Sequence, residues 1–482
     1  MGFIMWQPAL MISGYILSVL GLIMFIPASF DFSETSMISS PFFISSMISL
    51  FFGSLLFLSN YTKIERINLR QAYLVTTISW FLVVVFSAIP FILYDVVPSV
   101  ADALFESTSG ITGTGASIMS NVEKLPKSIL LWRSILNYIG GLGVVIFAVA
   151  LLPFLGIGGM QIFQRENTDS NDKFMPKFSY IAKRIIVVYL ILFSLCCGSL
   201  IICGMDGFDA VNYAMSAIGN GGFSTKNTSV AFFDNVKIEI VLMIFMLSGA
   251  LPMSFYILLF RRGVANKNEQ VSVFLKTIIF LGIFIGIYLY VSSDISLFQS
   301  FRYSFFNVIS VITTTGLSSC NFIEWGIWTT AVFLLLSLIG GCTGSTSGSI
   351  KIFRWQMIYA FLKKYLLSAI EPNRVIPLKV GTVNAAESVT MSVFVYVFSF
   401  IIGLVVLSVV VSLCGYDFSV SIASAVACMA NVGVGAVEVI GPKGNFAFFS
   451  DGVKYLLCFA MLLGRLEVIT VLVIFSRSFW RN

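Results

Sequence analysis

The sequence predicts an all-α polytopic membrane protein. Of its 482 residues, 58% are hydrophobic and only 11% are charged, whereas a typical soluble domain carries roughly 25% charged residues. Many apolar runs reach about 18 residues or more, the length that a membrane-spanning helix requires. Four short, glycine-rich segments lie between pairs of these runs, which predicts a helix–loop–helix unit repeated four times.

The predicted spans follow one another along the chain. The first covers residues 9–25 and has no basic region before it, so we expect a retained helix rather than a cleaved signal peptide. The others lie at residues 72–93, 185–203, 238–260, 277–291, 331–339 with its extension, 392–413 and 455–475.

Charged residues predict the orientation in the membrane. Five segments (63–70, 165–184, 261–276, 351–387 and the tail from 477) together hold 20 Lys/Arg against 7 Asp/Glu, and the opposite side holds 8 against 15. The positive-inside rule makes the first set cytoplasmic. An acidic outer side would concentrate cations, but the same excess arises if basic residues are simply sorted inward.

The cysteine and histidine content argues against a metal site and an enzyme. The chain contains no histidine, which removes the commonest metal ligand and general base. Its eight cysteines form no CxxC pair and lie mainly in apolar segments, so they are expected to pack as small residues. The spans also lack paired carboxylates, so a membrane enzyme is disfavoured.

The four repeats are defined by their glycine-rich turns. The segments read DALFESTSGITGTGAS, DAVNYAMSAIGNGGFST, RYSFFNVISVITTTGLSS and SIASAVACMANVGVGAVE. The stretch before each turn is too short to span a bilayer and is typical of a re-entrant half-helix. One glycine falls in the same register in all four turns, at Gly113, Gly222, Gly316 and Gly433, although Gly115 and Gly435 lie two residues further on and compete for the role.

Exposed backbone at membrane depth is tolerated only where protein buries it or where it lines an aqueous path. Four such loops around one axis would present rings of carbonyl oxygens that replace the water shell of a small monovalent cation. Hydroxyls of Thr112, Thr114, Thr314 and Thr315 could add oxygens. A single loop of this kind is equally typical of a simple outer turn, but four in register favour a filter.

The segments FESTSGITGTGAS, GNGGFST, VITTTGLSS and NVGVGAVEVIGPKGNF resemble those of the Trk/Ktr/HKT superfamily of potassium transporters, most closely its bacterial TrkH/TrkG-type membrane subunits. The resemblance covers nearly the whole chain and implies two extra transmembrane helices before four repeats around a pseudo-fourfold pore. One glycine per loop implies potassium selectivity. The implied potassium-binding carbonyls precede each glycine and belong to Ile111, Thr112, Asn220, Gly221, Thr314, Thr315, Asn431 and Val432.

A second glycine-rich stretch, GGCTGSTSGS at residues 340–349, will not hold a regular helix well. Close helix packing through small residues would explain it, and the absence of a GK[ST] ending excludes a phosphate-binding loop. The resemblance instead implies a gating loop below the filter, with Arg465 facing the pore. The implied gate residues are Gly340, Gly341, Gly344, Ser345, Thr346, Gly348 and Arg465.

Arg465 and Glu467 both lie in the last apolar run. Two positions apart on a helix they would not face each other, so Arg465 has either the pore-facing role or a structural ion pair with another helix. Glu467 is expected to be structural.

The resulting organisation has five parts. Residues 1–70 form the two-helix extension and 71–160 the first pore repeat. Residues 161–262 form the second repeat with a preceding cytoplasmic loop, 263–365 the third with the gating loop, and 366–482 the fourth.

The resemblance also implies a homodimer in the bacterial inner membrane, with the filter facing outside. A separate cytoplasmic ring protein (TrkA-like) would bind a nucleotide and control opening, so no cofactor is expected in this chain and potassium is the transported ion. The basic inner face would dock that ring or anionic lipid. No nucleic acid partner is expected.

Two rival functions stay open at this stage. An ion-coupled carrier of a small solute would use broken helices at the midplane, but it predicts two related halves rather than four repeats. A sodium-permeable relative would carry serine at position 113.

Overall fold

A computed structural model describes residues 2–31, 39–62, 68–155, 174–262, 268–374, 376–380, 383–384 and 387–480. Much of the predicted cytoplasmic segment 165–184, and parts of 63–70 and 261–276, lie outside the described residues.

The described chain is helical apart from one pair of two-residue antiparallel strands, β1 (Lys379–Val380) and β2 (Val383–Asn384). The helices are α1 (Gly2–Ile23), α2 (Phe25–Asp31), α3 (Pro41–Ser59), α4 (Leu69–Leu93), α5 (Val100–Thr112), α6 (Lys127–Leu155), α7 (Phe174–Ile202), α8 (Gly207–Gly219), α9 (Val236–Ala250), α10 (Met253–Arg262), α11 (Glu269–Ser292), α12 (Leu297–Ile312), α13 (Ile327–Ser337), α14 (Ile352–Ile370), α15 (Glu387–Leu413), α16 (Phe418–Ala430), α17 (Asp451–Arg465), α18 (Val468–Phe475) and α19 (Arg477–Trp480).

The long helices confirm a polytopic helical membrane protein. Among the described residues, seven helices are long and apolar enough to cross a bilayer, or eight if α17 and α18 count as one broken span. At the N-terminus, α1 packs closely on α3 because Gly14 and Gly53 allow the two backbones to approach: a Cβ on Gly14 would lie 2.7 Å from the carbonyl oxygen of Gly53.

Four short helices, α5, α8, α12 and α16, lie among the long ones. They contain 13, 13, 16 and 13 residues and are therefore roughly 20–24 Å long, too short to cross a bilayer core of about 30 Å. Side-chain caps define the start of three of them, through Ser99, Asp206 and Ser296. These are the half-helices that the sequence predicts.

Two breaks interrupt helices that the apolar pattern predicts as continuous. The predicted span 238–260 breaks at Pro252, since proline has no N–H and its ring clashes with the preceding turn. The predicted single span 455–475 is wrong, because α17 and α18 meet at 111°. Glu467 takes a φ of 65° at that bend, a conformation that ends the helix for a non-glycine residue.

Glycines on the following helices let three of the short helices pack closely. A Cβ on Gly140 of α6 would overlap the carbonyl of Ile111, and one on Gly464 of α17 would overlap that of Met429. A Cβ on Gly249 of α9 would lie 2.7 Å from the carbonyl oxygen of Ile218. The last turn of each short helix is thus fixed against its neighbour by backbone contact.

This packing predicts different effects for two glycines of the same helix. Gly140→Ala should lower stability by about 1–3 kcal/mol, because the added methyl group meets backbone that cannot move aside. Gly143→Ala is the matched control: it meets nothing within 4 Å and should be neutral or stabilising by up to about 1 kcal/mol. Thermal unfolding of the purified chain in detergent measures both, and equal melting temperatures for the two variants would contradict the packing.

Candidate functional site

The four short helices end in the same way. In each, a residue in the left-handed conformation follows the helix: Gly113, Asn220, Thr314 and Asn431, with φ between 49° and 63°. The next N–H bonds back to a carbonyl five residues earlier, Thr114 to Ser109, Gly221 to Ser216, Thr315 to Ser310 and Val432 to Ala427, at 2.8–2.9 Å. This pattern is a Schellman cap, for which glycine and asparagine are favoured. It defines the register of four central loops: residues 113–117, 220–224, 314–318 and 431–435.

The register corrects the predicted alignment of the first loop. Gly222, Gly316 and Gly433 occupy the third position of their loops, and Gly115 occupies that position in the first loop. Gly113 is instead the capping residue, equivalent to Asn220 and Asn431. Two glycines stand close together in GITGTG because the cap and the third position both accept glycine, and the sequence alone does not distinguish them.

The four loops contact one another in a closed cycle through these third-position glycines. A Cβ on Gly115 would overlap the Gly221 carbonyl of the second loop, and one on Gly222 would overlap the Thr315 carbonyl of the third. A Cβ on Gly316 would lie 3.2 Å from the nitrogen of Gly433 in the fourth loop. A Cβ on Gly433 would lie 2.5 Å from the carbonyl oxygen of Thr114, which returns to the first loop.

The carbonyls predicted to bind potassium fall into different positions of the four loops. Gly221, Thr315 and, in the first loop, Thr114 lie at the contacts between loops, and Val432 is their equivalent in the fourth. Asn220, Thr314 and Asn431 are capping residues, to which Gly113 corresponds. Ile111 and Thr112 are the last residues of α5, and the Ile111 carbonyl is directed at Gly140 of α6, away from the contacts between loops. Potassium binding by the Thr112 carbonyl stays a prediction.

Hydroxyls of the loops bond to neighbouring loops. Thr315 donates to the Asn220 side-chain oxygen at 3.2 Å, which joins loops three and two. Asn431 donates to the Thr114 hydroxyl at 3.0 Å, which joins loops four and one. The Thr112 and Thr114 hydroxyls lie 2.7 Å apart. These side chains hold the four loops together.

The glycine-rich stretch 340–349 packs directly against the ends of the second and third short helices. It contains no regular helix, and Gly340 and Gly344 have positive φ. The Thr346 hydroxyl bonds to the carbonyls of Ile218 and Gly249 at 3.0 and 2.9 Å. Within the part of the chain that the structure describes, the Ser345 side chain bonds only inside the stretch, to the carbonyl of Cys342 at 2.6 Å.

Ser347 and Gly348, the residues after Thr346, contact the central loops. Ser347 donates to the Thr313 carbonyl at 2.6 Å and accepts from Asn220 at 3.1 Å. The Gly348 N–H donates to the Thr314 hydroxyl at 2.8 Å. A Cβ on Gly348 would lie 2.7 Å from the carbonyl of Ala430, at the end of the fourth short helix.

Arg465 and Glu467 have different environments. The Arg354 guanidinium lies 2.6 Å from Glu467, and its carbon is 3.6 Å from the Tyr396 ring centroid, so Glu467 is paired with α14. Arg465 is 5% exposed, and its guanidinium has no hydrogen-bond partner within the described chain. A Cβ on Gly113 would lie 3.2 Å from that guanidinium. A structural ion pair therefore does not account for Arg465 among the described residues.

Arg465, Ser347 and Gly348 line one small cavity of about 20 Å³ beneath the loops. This volume is on the scale of a single water molecule. Ser349 of the stretch 340–349 also lines this cavity.

Comparisons with known proteins identify the family of the chain. Residues 38–281 and 278–481 match a family described as "TrkH: Cation transport protein". The chain belongs to this family. It is 35% identical to "Trk system potassium uptake protein TrkI" of Halomonas elongata over 99% of this chain and 97% of that one. It is 34% identical to "Trk system potassium uptake protein TrkG" of Escherichia coli K12 over 86% and 87%.

A solved structure is similar throughout. The "Crystal Structure of the Potassium Transporter TrkH from Vibrio parahaemolyticus" aligns with a TM-score of 0.91 and 28% identity, covering 99% of this chain and 100% of that chain. Membership of the TrkH family makes this chain a transport protein of the membrane rather than an enzyme.

Buried charges around the loops of this TrkH-family chain were missed by sequence reasoning. Glu106 on α5 pairs with Arg133 on α6 at 2.7 Å, with 0% and 2% of the two side chains exposed. Glu106 also accepts from Ser117 and from the Ile118 N–H, at 3.1 Å each. Arg133 donates to the carbonyl of Ser224 in the second loop at 3.2 Å. The pair thus braces the first two loops.

Similar braces occur at equivalent positions of the second and third short helices. The Tyr213 hydroxyl lies 2.6 Å from that of Ser224, and Asn307 donates to Ser319 at 3.2 Å. Arg133 inside the apolar run LLWRSIL was the available signal, because a charge at membrane depth needs a partner.

On the surface of the protein, hydrogen bonds and an ion pair join the connections after the third and fourth loops. The Asn321 side chain donates to the Glu324 carboxylate at 2.8 Å, and the Lys443 ammonium donates to the same carboxylate at 3.0 Å. These two hydrogen bonds, the one from Asn321 first, hold the pKa of Glu324 below its usual value. Both charged side chains are more than half exposed, so the pair adds little stability.

The buried brace predicts a strong coupling between its two residues. Arg133→Met should destabilise the protein by about 3–5 kcal/mol, because Glu106 would stay buried without its partner. Adding Glu106→Gln should recover part of that loss. A double-mutant cycle of thermal unfolding in detergent measures the coupling, and additive effects of the two substitutions would contradict the brace.

Proposed function

We propose that this protein takes up potassium across the bacterial inner membrane through a filter of backbone carbonyls. The observation that carries the proposal is the closed cycle of four loops through Gly115, Gly222, Gly316 and Gly433. Relatives with potassium uptake in their names support the choice of ion.

In the proposed filter, carbonyl oxygens of Thr114, Gly221, Thr315 and Val432 replace water around the ion. The four short helices direct their negative ends toward the same place, which favours a cation. Third-position glycine is needed because a side chain there would enter the backbone of the next loop. The filter is the meeting point of four repeats around a pseudo-fourfold pore, with the unit boundaries predicted from the sequence.

The stretch 340–349 is the proposed gate. It lies beneath the filter, leaves a cavity of about 20 Å³, and is held by hydrogen bonds that are replaceable by water. Opening requires Thr346 and Ser347 to release the second and third short helices. Arg465 is charged and has no hydrogen-bond partner in the described chain. Its positive charge opposes cation passage in the closed conformation, and this repulsion weakens when water fills the cavity.

We propose the orientation that the charges predict, with the filter facing outside. The membrane potential, negative inside, then drives uptake with about 2.3 kcal/mol per charge per 100 mV. A homodimer and a cytoplasmic nucleotide-binding ring (TrkA-like) that controls the gate are the proposed partners, supported by the Trk-system names of the relatives.

The loop register predicts which first-loop glycine determines selectivity. Gly115→Ser should lower the potassium-to-sodium flux ratio at least about tenfold, equal to about 1.4 kcal/mol, because its Cβ overlaps the Gly221 carbonyl at a φ of 77°. Gly113→Asn is the matched control and should keep the ratio, since asparagine occupies this capping position in the second and fourth loops.

Flux of each ion into proteoliposomes that contain the purified variants, with the regulatory ring added where the chain alone is closed, measures both ratios. Loss of selectivity in Gly113→Asn but not in Gly115→Ser would overturn the register. Equal potassium and sodium flux in the unmodified chain would overturn the potassium filter.

The gate predicts that weakening its anchors raises flux. Ser347→Ala removes the bonds to Thr313 and Asn220, and each lost hydrogen bond of about 1 kcal/mol shifts the open-to-closed ratio about fivefold. Ser345→Ala is the control, because its bond stays within the stretch. The same potassium flux assay compares them. An unchanged flux in Ser347→Ala, at normal folding and incorporation, would contradict gating by this contact.

A further inference from the structure

A large groove lies beside the proposed gate and takes no part in the filter. It has a volume of about 1130 Å³ and runs between α11, α13 and α14, down to the strand segment before β2. One face of α14 lines it from Ile352 to Leu367. The groove is separate from the small cavity under the central loops.

The walls of the groove are mainly apolar and open to the outside of the chain. Leu335 is 62% exposed, Phe284 is 56% exposed and Tyr359 is 68% exposed. All three side chains line the groove. A surface of this kind is suited to hydrocarbon chains.

The cytoplasmic end of the groove is basic. Lys363, Lys364 and Lys379 line it, and none of the three forms an ion pair within the described residues. Glu269 is the carboxylate among the lining side chains. This end therefore carries a net charge of about +2 and is suited to an anionic group.

The depth of these lysines matches the lipid headgroups. The 11-residue helix α13 descends roughly 16 Å from the outer side, which is about half of a 30 Å hydrocarbon core. From Ile352, on the far side of the gate stretch, α14 continues to Lys363 over a further rise of roughly 16 Å. The two helices are together long enough for the lysine end to lie at the cytoplasmic headgroup level.

We propose that this groove binds an anionic phospholipid of the inner leaflet. Its acyl chains lie against the apolar wall, and its phosphate group lies among Lys363, Lys364 and Lys379. A second copy of the chain fits less well, because a twofold interface brings a patch against itself and this basic end does not complement its own charge.

The same lipid would contact both ends of the stretch 340–349. Leu338 and Ile339 precede the stretch, Ile352 and Trp355 follow it, and all four line the groove. The Trp355 ring N–H donates to the Leu338 carbonyl at 3.2 Å and thereby joins the two ends. Bound lipid would therefore hold the residues on both sides of the proposed gate in place. This consequence rests on the proposed gating function, whereas lipid binding does not.

Native mass spectrometry of the full chain in detergent, titrated with phosphatidylglycerol or phosphatidylcholine, tests the site. The unmodified chain should bind phosphatidylglycerol at least about tenfold more tightly. Lys363→Gln, Lys364→Gln and Lys379→Gln together should remove that preference, since each basic residue near an anionic headgroup contributes about fivefold. The matched control removes three basic side chains on helices that do not line the groove, with Arg70→Gln, Lys183→Gln and Arg184→Gln, and should keep the preference.

A second variant tests the apolar wall independently. Leu335→Trp adds bulk at an exposed position of the groove and should weaken binding of both lipids at least about threefold without affecting folding. Equal phosphatidylglycerol binding by the unmodified chain and the lysine variant would overturn the proposal. So would disulfide cross-linking between two copies that carry Tyr359→Cys, above the level of the parent chain, with lipid binding unchanged, because the groove would then be a subunit contact.

Discussion

Backbone groups at membrane depth must find partners within the protein, and the centre of this structure depends on that constraint. Four helices are too short to cross the hydrophobic layer, and each ends in a Schellman cap. The loops that follow bond to neighbouring loops through Asn220, Asn431, Thr114 and Thr315. What remains are carbonyl oxygens at the contacts between loops, which we propose as the ligands of potassium.

Buried charged side chains likewise need partners within the protein. Glu106–Arg133, Asp102–Lys454, Glu239–Arg302 and Glu467–Arg354 are buried or nearly buried pairs at 2.6–2.8 Å. A buried pair gains little over apolar packing, but removal of one partner is costly, so these pairs specify how the helices fit around the loops. Arg465 differs from them because its guanidinium has no hydrogen-bond partner in the described chain, and this difference supports its proposed role in the pore.

The sequence predicted the helical class, the four half-helices and the equivalent positions of Gly222, Gly316 and Gly433. It misplaced the first loop by two residues, since both the capping position and the contact position hold glycine there. The Schellman cap at Gly113 and the contact of Gly115 with Gly221 distinguish them. Their roles in selectivity remain predictions.

The helix breaks and ion pairs were less accessible to sequence reasoning. Apolar runs continue through Leu251 and Leu466, so hydropathy predicts straight spans where the backbone turns. Pro252 was a signal for the first break, whereas the bend at Glu467 accompanies an ion pair with Arg354 on a helix distant in sequence. Long-range pairing of this kind follows from the assembled repeats and not from local pattern.

The central claim is that a potassium-sized ion is bound by the backbone of four loops. The most direct measurement is an experimental structure determined with Rb⁺, located by its anomalous scattering. The account predicts a peak on the axis of the loops, surrounded by the carbonyl oxygens of Thr114, Gly221, Thr315 and Val432. Rb⁺ bound instead by side-chain oxygens away from these loops, with none on the axis, would contradict it.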